Sequence, residues 1–181
     1  MTDIIKKLRG GDLRSIGRSN EVAQEVEKNP VLFKAVFEGL FDTEPVVRMR
    51  SADIIEKVTR SNPLLLSSYT STVISILANA QQQEVCWHMA QIAPRLKCNE
   101  SQENEVIESL KRYLLHKSKI VQASAMESLA TVAERNNSIL DEVVEIITRH
   151  KERGSPAVQS RGRKLLKRLE GKSKNLGHQR Q

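Results

Sequence analysis

The stretch VVRMRSADIIEKV, Val46 to Val58, decides the fold, because the chain restates it three more times in weakened form. Set beneath it, EVCWHMAQIAPRL, IVQASAMESLATV and AVQSRGRKLLKRL place Val47, Val85, Val121 and Val158 in one column, at steps of 38, 36 and 37 residues. Four positions on stand Ser51, Met89, Ala125 and Gly162; eight on, Ile55, Ala93, Leu129 and Leu166; eleven on, Val58, Leu96, Val132 and Leu169. Offsets 0, 4, 8 and 11 fall within one narrow arc of a 3.6-residue helix, so each segment is expected to bury that stripe.

A matching helix precedes each of these segments, anchored by Val36/Leu40, Val73/Leu77, Leu110/Leu114 and Val143/Ile147. Asn29-Pro30, Asn62-Pro63 and Ser155-Pro156 read as helix starts, with a capping side chain ahead of a first-turn proline, and Ser138 to Asp141 has capping-box form. Residues 1–29 read as a degenerate opening pair with its turn at Gly10-Gly11, followed by repeats at 30–62, 63–98, 99–137 and 138–170. One pair of this length cannot bury its apolar face alone, so neighbours must supply the core. The expectation is an all-α chain of four and a half to five antiparallel helix pairs stacked as a right-handed α-solenoid, with a flexible basic tail over 171–181.

The sequence is similar to the HEAT-repeat family, with armadillo-like packing as a close variant. Asp42-x4-Val47-Arg48 resembles the family's Asp…Val-Arg signature, in which such residues form a ladder between repeats. Ala80, His116 and Arg153 stand at the Asp position of the later repeats, and Cys86, Gln122 and Gln159 at the Arg position, so a continuous Asp/Arg ladder is not expected. The resemblance implies a concave face lined by second helices, and the expected function is that of a noncatalytic binding or scaffold protein holding a protein or peptide partner along that groove.

Composition agrees with helices. Apolar residues make up 39% of the 181, but only six are aromatic, so burial must come mainly from aliphatic side chains. The net charge of +7 is unevenly placed: residues 149–181 carry eleven Lys/Arg against Glu152 and Glu170, whereas the rest of the chain is slightly acidic. No apolar run suits a membrane span and MTDIIKKLRGG lacks a signal-peptide core, so a cytoplasmic monomer that does not engage membranes is expected. Cys86 and Cys98 read as reduced thiols, and no Cys/His spacing suggests a metal or a cofactor.

On the second helices, offsets 2, 3, 6, 9 and 10 lie away from the stripe and define the expected partner-binding groove: Met49, Arg50, Trp87, His88, Gln91, Arg95 and Ser124. Trp87, the single tryptophan, has two readings, an exposed anchor or an indole laid over a neighbour's small residue. At the C-terminal end, Arg161, Arg163, Lys164, Lys167 and Arg168, with Arg149, Lys151, Arg153, Lys172 and Lys174, make nucleic-acid phosphate binding the alternative function.

Enzyme readings find little support. The paired His-Glu motifs of deoxyhypusine hydroxylase are absent, since His88, His116, His150 and His178 are followed by Met, Lys, Lys and Gln. The alkylpurine DNA glycosylases of HEAT-like fold use groove tryptophans and an aspartate; here Trp87 is followed four residues on by Gln91, not an acid, and the nearest acidic candidate, Asp53, is one repeat away, which leaves a repair glycosylase as a distant alternative. Gly10-Gly11 lacks phosphate-loop spacing, and Cys86 and His88 point to different sides of their helix.

Overall fold

A computed structural model describes residues 3–178, with side chains from Ile4 to Gly171. It is all-helical: no strand occurs among the described residues. The α-helices are α1 (Asp3–Lys6), α2 (Ser19–Lys28), α3 (Phe33–Glu38), α4 (Pro45–Ser61), α5 (Thr70–Asn79), α6 (Gln83–Ile92), α7 (Glu100–Tyr113), α8 (Lys119–Ala133), α9 (Leu140–Arg153) and α10 (Pro156–His178). Short 3-10 turns precede or extend several of them. The chain divides into two compact units, Met1–Glu105 and Val106–Gln181, with α7 passing from one to the other.

Within the first unit α4 packs against α2, α3 and α6, and α5 against α6; within the second, α8, α9 and α10 pack on one another. The aligned columns are the core. Val47, Val85, Val121 and Val158 are buried, as are Ser51, Met89, Ala125 and Gly162, and Val58, Leu96, Val132 and Leu169. Ile55, Ala93 and Leu129 are fully buried as well, and only Leu166 in the last helix is half-exposed. All eight anchors of the preceding helices, from Val36 to Ile147, are buried too. Gly39 has a packing reason: a Cβ there would collide with the Ser51 hydroxyl and approach Ile5, so the end of α3 can lie this close to α4 only without a side chain.

The helix ends differ from expectation. Asn29 and Asn62 make no side-chain cap, and the prolines after them start 3-10 turns. Their chain entry is set by proline's fixed φ rather than by an amide oxygen. Before α9 the side chain of Asn136, not Ser138, receives the backbone N–H, that of Ser138 itself. Ser155 does cap, weakly, from the Val158 N–H at 3.5 Å. An unforeseen reciprocal cap opens α7, where Asn99 and Gln102 each accept the other's backbone N–H at 2.9 and 3.1 Å.

The Arg48 column has a common job despite its mixed chemistry. Arg48 donates to the Asp42 carbonyl, the Cys86 thiol to that of Ala80, Gln122 to that of His116 and Gln159 to that of Gly154, at 2.8, 3.3, 2.7 and 3.1 Å. Each ties the first turn of a second helix to the connection before it, satisfying a carbonyl orphaned at a helix end. Any donor of suitable length serves, which is why no signature is legible there. Asp42 itself pairs with Arg9 at 2.9 Å, and Arg48 reaches Gln82 of the next repeat at 2.9 Å, so this pair of residues does not form a carboxylate ladder.

Of the expected tail, 171–181, residues 171–178 are assigned to α10, with no side chain described after Gly171, and 179–181 lie outside the described residues.

Candidate functional site

The expected groove is only partly open. Met49 and Arg50 are buried, at 5% and 3% exposure, as is His88 at 5%; Trp87, Gln91, Arg95 and Ser124 are half-buried. The reason is geometric. A second helix inside a stack is flanked on both sides by other second helices, as α4 is by α2 and α6, so its shoulder columns face protein. Register alone does not decide exposure: Met49 and Trp87 share one offset, yet Met49 is buried and Trp87 keeps partial water contact.

Arg50 is the clearest departure. Its guanidinium donates to the backbone carbonyls of Leu8, Arg9, Gly10 and Ser15, at 2.8 to 3.3 Å, so the segment between α1 and α2 wraps it. Gly10, Gly11 and Gly17 of that segment all have positive φ. At Gly17, with φ +52°, a Cβ would sit 2.7 Å from the Arg50 guanidinium carbon. Arg50 is therefore an internal fastener and not a partner contact. Three glycines within eight residues were the sequence signal for this, but a distant arginine as their common target was not readable.

Charges elsewhere on the first unit's second helices also pair internally. Asp53, 7% exposed, accepts from Lys57 at 2.6 Å, and Lys57 also donates to Asn20 of α2. Glu56 is buried between Arg60, at 2.5 Å, and Arg95 of the next repeat, at 2.6 Å. Arg95 further donates to the Glu56 carbonyl and the Thr59 hydroxyl at 2.7 and 3.0 Å. Burial pushes the Glu56 carboxyl up, but the two guanidinium groups outweigh it and hold it below the ordinary carboxylate value. Arg95 is thus a link between repeats before it is a binding group.

Trp87 lies against His88, rings stacked at 4.5 Å between centroids and 21° between planes. The His88 Nδ1 is buried with no hydrogen-bond partner, and its Nε2 is 4.0 Å from Asp53. Burial, aided by repulsion from Lys57, lowers the His88 pKa from its ordinary 6.5, against the opposing pull of Asp53 and Glu56 and a hydrogen bond involving Gln91. A neutral ring above pH 6.5 is the result. Because the unfolded chain takes up a proton first as pH falls, the stability that neutral His88 contributes is complete above 6.5 and is lost below it. The single tryptophan reports this directly: emission at native conditions should be quenched on acidification, with a midpoint below 6.5, and the step should vanish in His88→Gln. A midpoint at or above that value, or an unchanged step in the variant, contradicts the neutral buried ring.

In the second unit the basic residues of α10 are exposed. Arg161, Arg163, Lys164, Lys167 and Arg168 all face solvent. Arg161 and Arg168, two turns apart, close on Glu127 of α8 at 2.6 and 2.5 Å, and Arg168 also reaches Glu134 at 2.7 Å. A cleft of about 500 Å³ opens here, lined by Glu127, Ser160, Arg161, Lys164 and Arg168 among others. Burial raises the Glu127 pKa, but hydrogen bonds from the two arginines more than offset this, so the carboxyl is held below its ordinary value. Ser124 lies half-buried on α8 of this unit.

Among the described residues no group of His, Cys, Asp and Glu is placed to hold a metal ion, and no helix is long and apolar enough to cross a membrane. Asp53, the acid that a glycosylase reading would need, is buried and engaged by Lys57. No protein-family model and no curated protein matches the chain.

Proposed function

We propose that this chain is a HEAT-like helical-repeat module, a right-handed solenoid of stacked helix pairs, that binds a protein partner on the second-helix face around Trp87 and carries out no chemistry itself. Trp87 carries the reading. It is the half-exposed aromatic of that face, and it is held flat by a buried histidine, so it presents a large contact area whose conformational entropy is already spent. Gln91 stands beside it one turn on, also half-exposed. The ion pairs beneath, Asp53 with Lys57 and Glu56 with Arg60 and Arg95, stiffen the platform without offering free charge. Met49, Arg50 and His88 belong to this site as supports, not as contacts.

Life as a cytoplasmic monomer is part of the same reading and agrees with two cysteines, Cys86 and Cys98, that form no disulfide. The experiment is selection of peptides from a display library by the wild-type chain, with titration of the enriched sequences against Trp87→Ala. Loss of the indole should cost about 1 to 2 kcal/mol of binding, with the fold unchanged by circular dichroism. Peptides that bind the variant equally well would remove Trp87, and with it this face, from the account.

A further inference from the structure

We propose that the outward face of α10 binds nucleic-acid backbone without regard to sequence, and that Glu127 is an internal carboxylate occupying two of its arginines where a phosphate would otherwise sit. Arg163, Lys164 and Lys167 are exposed and make no ion pair among the described residues. At i, i+1 and i+4 they span about 100° of the helix surface, centred away from the buried stripe of Val158, Leu165 and Leu169. Like charges this close repel one another and are relieved by an anion with repeating charge, which is what a phosphodiester chain supplies.

Two competing surfaces fit less well. A lipid interface needs apolar side chains to insert beside the cations, and among the residues whose side chains are described none of the exposed large hydrophobics lies on α10. Base recognition needs stacking aromatics, and α10 contains none, which is why the binding should be indifferent to sequence.

The cleft beside this face extends it. Arg161 and Arg168 converge from α10 onto the two oxygens of Glu127, and Lys164 lines the same cleft without an acid of its own. Two guanidinium groups closing on one carboxylate is also the arrangement that grips a phosphate. The carboxylate keeps these arginines ordered in the free protein and lowers the local field. Neutralising it leaves both in place for a phosphate oxygen to take over.

The test is fluorescence anisotropy of a short labelled oligonucleotide of mixed sequence, single-stranded and duplex, titrated with the full chain over a range of salt. Binding at low salt should weaken steeply as salt rises. The triple variant Arg163→Gln, Lys164→Gln, Lys167→Gln should lose about tenfold or more in affinity, and its log–log salt slope on duplex should be shallower by about 2 to 3. Glu127→Gln should bind about threefold tighter or better, a change in the opposite direction that unfolding cannot produce. No complex at low salt, or a complex indifferent to the triple variant, overturns the surface. An affinity that Glu127→Gln leaves unchanged or weakens overturns the role given to that carboxylate. Capture by phosphatidylserine vesicles in preference to the oligonucleotide would assign the face to lipid instead and contradict the proposal.

Discussion

Arg50→Met should lose about 3 kcal/mol of folding stability, read as a lower denaturant midpoint, and should release the segment between α1 and α2 to trypsin. Two effects compete. Removing a buried charge refunds its desolvation cost, and methionine fills much of the volume. Against that, all the hydrogen bonds of this guanidinium run to main-chain carbonyls of Leu8, Arg9, Gly10 and Ser15, and methionine satisfies none of them. Those carbonyls can recover water only if the segment lifts away, which also uncovers Leu8, fully buried at present. The second effect wins because each bond to a charged donor is worth about 1.5 to 3 kcal/mol when made, and the ion pairs of Lys7 and Arg9 hold only the start of the segment. Arg9, Arg14 and Arg18 then become early cleavage sites. Arg50→Lys should recover only part of the loss, since one ammonium cannot span carbonyls on both sides of the loop. Wild-type stability and an unchanged digest in Arg50→Met would show that the loop is fastened elsewhere.

The other large effect contrasts two leucines of one column. Leu129 in α8 is fully buried, with α9 and α10 packed against its helix, whereas Leu166 in α10 is half-exposed. Leu129→Ala should cost about 3 to 4 kcal/mol, because the site is walled by helices that cannot collapse into the space left behind. Leu166→Ala, at the same register, should cost about 1 kcal/mol or less. Equal losses at the two positions would mean that burial in this column does not depend on having a further helix beside it.

Much of the fold was legible because apolar periodicity is a direct consequence of burial. The columns through Val47, Ser51, Ile55 and Val58 are core in segment after segment, Leu166 apart, and α2 and α4 end at Lys28 and Ser61, just ahead of Asn29 and Asn62. The candidate site was legible only in outline. Offsets locate a side chain on its own helix, yet whether Arg50 or His88 meets water depends on neighbours that no local pattern describes. Arg50 is covered by a loop some forty residues earlier, and Arg95 is drawn to Glu56 one repeat back. The described basic side chains of α10 are exposed because the helix packs on α8 and α9 while its buried stripe of Val158, Leu165 and Leu169 lies on the opposite side. The donor column of Arg48, Cys86, Gln122 and Gln159 was hidden for a different reason: the geometry asks for a hydrogen, not for a residue type.

Beneath these predictions lies the claim that successive helix pairs are held up by their immediate neighbours. Hydrogen exchange of the full-length Leu129→Ala variant, followed helix by helix, measures that most directly. The account predicts faster exchange in α8, α9 and α10, with α2, α4 and α6 protected as in the wild type. Exchange accelerated equally in every helix would reveal one indivisible core and contradict it.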